Sequence, residues 1–506
     1  MKKNQSRKSG GFNPRVFLGF ILCSIGASLA LAVLLASGFA STGTSTGFTT
    51  QVSPSAQMNA TEPSVTVDRT DGTVYVAWQA SGTHVARSDD GGRTWAQVLS
   101  QSDVGDVDVR VGGPTPCTTP VAPVIVNGVT ITAGCTPGTH RVYVTSLEKV
   151  PLALQTHLAH SDDRGASWAV NEVAAFNPSF IDRPWLAVYA STVASQDSVY
   201  IAYHDFSASQ IWVASSHDGG QAFTQTNVFA NNPMAEIQSF CNTVPSNIEV
   251  DPNTGEVYVQ WITADPVANT SEGCNITQIE SFHQVWVAHS GDGGMTWDAH
   301  QVVDTGPNTN TDEIFATLAV DSGGNVYSVF PDNVLARGHF DIWFSHSSDK
   351  GKDWSPIVKV DSDKGTHYFP WIAAGSTGGV DFIWFNSPDY TPTDAEQSPW
   401  YVTFAQTTNG TSATPKFNQT SASSSVMHVG GICTNGIFCT VNSGNRDLAD
   451  SISIAIDRGG SAALAWTDQG RVLNGPTHIE YGCVKAQQSA IAGANPGLSC
   501  RGPAGP

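Results

Sequence analysis

Ser88-Asp89-Asp90-Gly91-Gly92-Arg93-Thr94-Trp95 is the first of five stretches of the form Ser-x-Asp-x-Gly-x-x-Trp/Phe, and their recurrence decides the fold. The others run from Ser161 to Trp168, Ser216 to Phe223, Ser290 to Trp297 and Ser347 to Trp354. Strand-like runs such as His84-Val85-Ala86, Ile211-Trp212-Val213 and Val285-Trp286-Val287 precede them, and further strands follow. The chemistry fits a tight hairpin. A carboxylate and hydroxyls bond the turn's own backbone, a glycine takes positive φ, and the aromatic ring folds beneath as a plug.

The aspartates Asp90, Asp163, Asp218, Asp292 and Asp349 lie 73, 55, 74 and 57 positions apart. A period of that size, built of short strands, points to four-stranded sheets repeated around an axis. Alternating strands closed by Asp/Gly hairpins recur in phase, at Ser64–Asp68 to Trp78, Asn247–Asp251 to Trp261, Ala316–Asp321 to Phe330, Pro370–Trp371 to Phe385, and Ser453–Asp457 to Trp466. Each unit reads as inner strand, hairpin, second strand, long loop, third strand, Asp turn and outer strand. The expectation is an all-β propeller over 58–488 with seven blades, or six if the irregular second unit (Val121 to Thr145) is an insertion. The sixth unit has a degenerate turn from Thr407 to Phe417. The seventh lacks a fourth strand, which the segment around Phe48 to Val52 supplies by closing the ring. The tail, 489–506, reads as frayed apart from Cys500.

Residues 1–15 carry five bases and no acid, and 16–36 is an uncharged apolar stretch. It reads as an N-terminal transmembrane anchor, with a cleavable signal as the alternative, and 37–57 as a flexible tether. The expected location is the cell membrane, with the C-terminal domain outside, or secretion. The chain carries 24 bases against 44 acids, a net charge of −20, which argues against nucleic acid as a partner. Beyond Cys23 eight cysteines remain, and their spacing pairs Cys117 with Cys135, Cys241 with Cys274, Cys433 with Cys439 and Cys483 with Cys500. No metal or other cofactor is expected.

The Asp turns resemble the Asp-box (BNR) repeats of the sialidase superfamily, over nearly all the chain beyond residue 60. The resemblance implies the propeller, and a glycan as ligand, but not one reaction, since the superfamily holds hydrolases and binding proteins alike. In such a blade the Asp turns share one face of the disc as structural turns. Loops on the other face converge over the axis, bringing Asp182-Arg183, Asn247, Glu249, Asp312-Glu313, His367-Tyr368, Asn445 to Asp450, Tyr203 to Asp205, Asp389-Tyr390 and Arg471 to one side. A sialidase-type mechanism implies an arginine cluster for a substrate carboxylate, here Arg183, Arg446 and either Arg337 or Arg471. Tyr368 activated by Glu313 would be the nucleophile, and Asp182 or Asp205 the acid. Sialidases carry Arg-Ile-Pro near the first blade. This chain has Arg183-Pro184-Trp185 in the third, which equally fits a structural arginine. His204, His367 and His428 read as surface histidines. Two functions stay open: an exo-α-sialidase-type hydrolase, and a non-catalytic propeller binding a glycan or a protein.

Overall fold

The computed structural model describes residues 46–102, 105–115, 124–126, 129–131, 139–150, 153–175, 181–205, 210–239, 243–264, 282–311, 315–335, 339–434, 439, 444–485 and 488–503. They form seven antiparallel blades of four strands, each running from an inner to an outer strand in chain order except the last, and blade 6 adds a short fifth strand, His428–Val429. The inner strands are Thr61–Val67, Gly105–Pro114, Ile181–Tyr189, Thr243–Val250, Thr317–Val320, Thr366–Ala374 and Ser453–Ile456. Blade 7 takes its outer strand from the N-terminal side of the domain. Thr46–Gln51 pairs antiparallel with His478–Lys485, Phe48 opposite Cys483, so the segment expected to close the ring does so.

The five Asp turns join third to fourth strands and share one hydrogen-bond pattern. Each serine Oγ donates to its aspartate, at 2.7–2.8 Å, and accepts the amide of the second glycine position, as Gly92 N to Ser88 Oγ at 2.7 Å. The aspartate then accepts amides three or four residues on, as Asp292 does from Met295 and Thr296. Although burial opposes it, the Thr296 hydroxyl and amide hold the Asp292 carboxyl below its usual range. Blade 6 builds the turn with substitutes: Thr407 Oγ1 donates to Asn409 Oδ1 at 3.0 Å, and Phe417 lies against Phe344 and Phe382.

Three expectations need correction. Blade 2 does not begin in the irregular stretch. Its inner strand is Gly105–Pro114, paired with His140–Val150, and what lies between carries a separate hairpin, Val124–Val126 with Val129–Ile131. The tail is not frayed, since Ala490 is buried, Cys500 N donates to Asp457 Oδ2 at 2.6 Å, and Arg93 Nη1 donates to Cys500 O at 2.6 Å. Nor is the described part of the expected tether, 46–57, free, since Thr46–Gln51 is a strand of blade 7 and Val52 is buried. The hub is filled. Trp185 of blade 3 meets Trp371 of blade 6 at 5.1 Å and Phe315, ahead of blade 5, at 5.4 Å. Blades 3 and 6 are not neighbours, so these rings cross the axis and stopper it.

Polar groups stitch the inner strands around that stopper. Ser64 Oγ donates to Asp108 Oδ1 (2.6 Å), and Leu186 N to Asp108 Oδ2 (2.9 Å). Trp185 Nε1 donates to Pro245 O (3.3 Å). Asn247 exchanges two bonds with the Leu318 backbone, Thr317 Oγ1 reaches Pro370 O, and Val65 N donates to Ser453 Oγ.

Cys433–Cys439 and Cys483–Cys500 are bonded. Cys117, Cys135, Cys241 and Cys274 lie outside the described residues, as does the expected apolar anchor at 16–36. Among the described residues no helix is long and apolar enough to cross a membrane. The Cys483–Cys500 bridge ties the closing blade to the tail over 17 residues. Replacing Cys500 by serine is expected to lower unfolding free energy by about 3 kcal/mol, measured by urea denaturation. A loss below ~1 kcal/mol would show that the hydrogen bonds of the tail suffice.

Candidate functional site

The axial stopper leaves two mouths of different chemistry. On the Asp-turn side a cavity of about 450 Å³ is lined by Arg69, Arg110, Glu249 and Trp371. Glu249, expected on the other face, sits here near the end of its strand, with Arg110 Nη2 3.6 Å away. Burial pushes its carboxyl up to about 7, against the pull of Arg110. Asn247 is mid-strand and buried in the inter-blade stitching.

The opposite mouth, where inner strands begin, holds most of the described sequence candidates. Its geometry comes from bulges at X-Pro steps. In blade 1 the register passes from Thr61 to Ser64, in blade 3 from Asp182 to Trp185, and in blade 6 from Tyr368 to Trp371. Each time two residues, the second a proline, oppose one: Glu62-Pro63, Arg183-Pro184 and Phe369-Pro370. Glu62, Arg183 and Phe369 all have φ of 53–54°, a left-handed backbone that costs such residues energy and re-aims their side chains.

Arg183 is the centre of this mouth. Its guanidinium lies over Trp185 and Phe315, at 5.1 and 4.9 Å. Its nitrogens stand 3.2 Å from Glu62, 3.6 Å from Asp106 and 3.3 Å from Asp450. Arg446 bonds the same Asp450 oxygen. Asp182 joins this ring of pairs through a side-chain hydrogen bond to Asp106. Burial drives Glu62 well above the usual carboxylate range, and Arg183 only partly offsets it. Burial, then the neighbouring Asp106 charge, drives Asp182 up as well. Asp106 itself resists burial: Arg183 and hydrogen bonds from Glu62 and Asp182 hold it down at about 2. Glu62 and Asp182 are thus both biased toward the protonated form, on either side of an Asp106 that favours the carboxylate.

The structure brings together Asp182, Arg183 and Arg446 from the sequence candidates. Glu62 and Asp106 were missed, although Glu62-Pro63, Arg183-Pro184, Val244-Pro245 and Phe369-Pro370 form a repeated step at the inner strands that signals the position. The expected free arginine clamp is not what Arg183 offers, because three carboxylates already surround it. Arg471 is exposed in the loop after Ala462–Asp468, and Arg337 and Glu313 lie outside the described residues. Tyr368 is half-buried, stacked on Trp400 at 5.3 Å and against Phe340 at 5.3 Å. Asp205 is buried where its blade's second strand meets Ile181. Tyr203 donates to Gln225, and exposed Tyr390 lies edge-on to His339. The three histidines are not on the surface: His204, His367 and His428 are buried, His367 between Phe340 O and Asp363.

Raised carboxyl values in the fold have a definite consequence. The folded state binds the Glu62 and Asp182 protons more tightly than the unfolded chain, so their contribution is full at acid pH and is lost as pH rises through the raised values. Glu62→Gln and Asp182→Asn are expected to flatten the fall in urea midpoint as pH rises above the usual carboxylate range. Arg183→Met strands buried carboxylates and is expected to cost about 3–5 kcal/mol. An unchanged pH profile in both amide variants would contradict the assigned protonation.

No protein-family profile matches the sequence, and no curated protein matches it. Solved structures do resemble it. A phage phi92 endosialidase superposes with a TM-score of 0.45 at 9% identity, covering 87% of this chain and 69% of that one. An ulvan lyase, a polysaccharide lyase, gives 0.45 at 9%, covering 83% and 93%. The intramolecular trans-sialidase from Ruminococcus gnavus gives 0.40 at 12%, covering 85% and 95%. The chain's own seven sheets, not these matches, make it a seven-bladed β-propeller.

Proposed function

We propose that the propeller recognises a glycan over the mouth ringed by Glu62, Asp106, Asp182, Arg183 and Asp450, and that the sugar is uncharged or amino-bearing rather than acidic. The Asp-box resemblance supports a glycan as ligand. The observation that carries the restriction is the occupied guanidinium of Arg183. A sugar carboxylate would have to displace the carboxyls that surround it, and freeing Asp106 or Asp450 leaves a buried carboxylate uncompensated, costing about 3–5 kcal/mol. The chain's net charge of −20 adds repulsion at a distance. An uncharged sugar leaves these pairs in place and finds acceptor oxygens on the partly buried Asp182 and Asp450. The Tyr368 ring, held by Trp400, offers an apolar face.

Hydrolysis is the second reading, favoured by the opposite displacement of Asp182 and Asp106. Asp182 would protonate the leaving glycosidic oxygen as its bond to the anomeric carbon breaks. Water would add to the anomeric carbon and release its proton to solvent, while Asp106, hydrogen-bonded to Asp182, holds the acid in place. The bonded cysteines support an oxidising compartment, and with the apolar stretch 16–36 we place the propeller outside the cytoplasm, anchored or secreted.

The full-length chain, applied to a glycan array and to fluorogenic glycosides, tests this. Binding to neutral or amino glycans is expected, weakened at least tenfold by Tyr368→Ala, with no turnover of a sialoside. Sialoside hydrolysis abolished by Tyr368→Phe and Arg446→Ala would overturn the restriction. Turnover of a neutral glycoside lost in Asp182→Asn would establish the second reading.

A further inference from the structure

Away from the axis, three clusters among the described residues bring three His, Cys, Asp or Glu ligand atoms within 4.8 Å of one another. In the first, Asp457 with Cys483 and Cys500, both sulfurs are spent in a disulfide. In the second, Asp341, Asp361 and His367, the place of a cation is filled. Lys359 Nζ stands 2.5 Å from Asp341 and 3.0 Å from Asp361. The third is Glu148, His157 and Glu172 in blade 2. It has no such occupant, and it opens on a cavity of about 570 Å³ bordered by Ser81, Ser100 and Gln101 of blade 1.

We propose that Glu148, His157 and Glu172 form a binding site for a divalent transition-metal ion of the zinc type. The sheet itself assembles it. Ser146 opposes His157, and Glu148 opposes Gln155, in the pairing of His140–Val150 with Ala153–Ser161. With side chains alternating along each strand, these four share one face, the one turned to blade 1, where apolar packing is the rule elsewhere. On the outer side the register steps from Thr156 opposite Ala175 to Leu158 opposite Asn171. Residues 172–174 therefore bulge beside His157 and re-aim Glu172.

Two further contacts orient the ligands as outer-shell groups do around metal sites. Ser146 Oγ lies 2.7 Å from His157 Nε2, so a proton held on Nε2 leaves the Nδ1 lone pair directed at Glu148. Gln155 Nε2 donates to Glu148 Oε2 at 3.1 Å and to the Glu172 carbonyl at 3.2 Å. His157 Nδ1 and Glu148 Oε2 are 3.8 Å apart. Two donors on one zinc ion, each about 2.0–2.2 Å from it, stand roughly 3–3.5 Å apart, within a small carboxylate rotation of the observed spacing. Two carboxylates balance the ion's charge, and the imidazole favours zinc over calcium. The cavity admits water as a fourth ligand.

The test is equilibrium dialysis of the full-length chain, freed of metal by chelation, against Zn²⁺, with Mn²⁺ and Ca²⁺ in parallel. One equivalent of Zn²⁺ is expected, with a melting temperature that rises on loading. Glu172 is exposed and its replacement leaves the fold intact, so Glu172→Gln is expected to weaken binding at least tenfold and remove the thermal shift, as is His157→Gln. No stoichiometric Zn²⁺ uptake would overturn the assignment. So would uptake unchanged in Glu172→Gln, or Ca²⁺ held as tightly as Zn²⁺.

Discussion

Seven sheets can stand around an axis only if every one has two neighbours, and the pairing of Thr46–Gln51 with His478–Lys485 supplies the last edge. Without it blade 7 is a three-stranded sheet with an open side. The inner-strand stitching through Asp108, Asn247 and Ser453 works within the ring that this pairing closes. Trp185, Phe315 and Trp371 then fill the space that remains where seven strands converge. Backbone hydrogen bonds at the rim and aromatic packing at the centre thus depend on one another.

That filled centre shapes the chemistry. A through-channel would join the acid-rich mouth to the one lined by Arg69 and Arg110, whereas the aromatic rings keep them apart. Each mouth must therefore balance its own charge. Around Arg183 the balance is struck by protonation as much as by pairing. Four carboxyls share two guanidinium groups, and the surplus is relieved by proton retention on Glu62 and Asp182. The left-handed backbone at Glu62 and Arg183 is the strain accepted to bring these groups face to face.

The rim of the propeller was legible in the sequence because its turns are local: serine, aspartate and glycine satisfy one another within five residues. Even the borrowed strand of blade 7 was readable, since the repeat left a gap and Phe48–Val52 fitted it. The inner strand of blade 2 was hidden by the insertion that parts it from its partner, although Asp106-Val107-Asp108-Val109 alternates plainly. The mouth was half legible. Topology put Asp182, Arg183 and Arg446 on one side, but the partner that occupies Arg183, Glu62, is 121 residues away, and no local pattern links them. Lone histidines were misplaced for the same reason. His367 is covered from the preceding blade by Phe340, 27 residues back, as well as by Asp363 just ahead of its own strand.

The closing pair has a consequence for synthesis. Thr46 faces Lys485, so this strand leaves the ribosome more than 400 residues before the one that matches its backbone. Through that interval its free amides and carbonyls are a template on which another nascent chain can add. The segment Thr46-Gly47-Phe48-Thr49-Thr50-Gln51, uncharged, without proline and rich in threonine, keeps its β-propensity through the wait. Its risk ends when Phe48 meets Tyr481 in the finished ring.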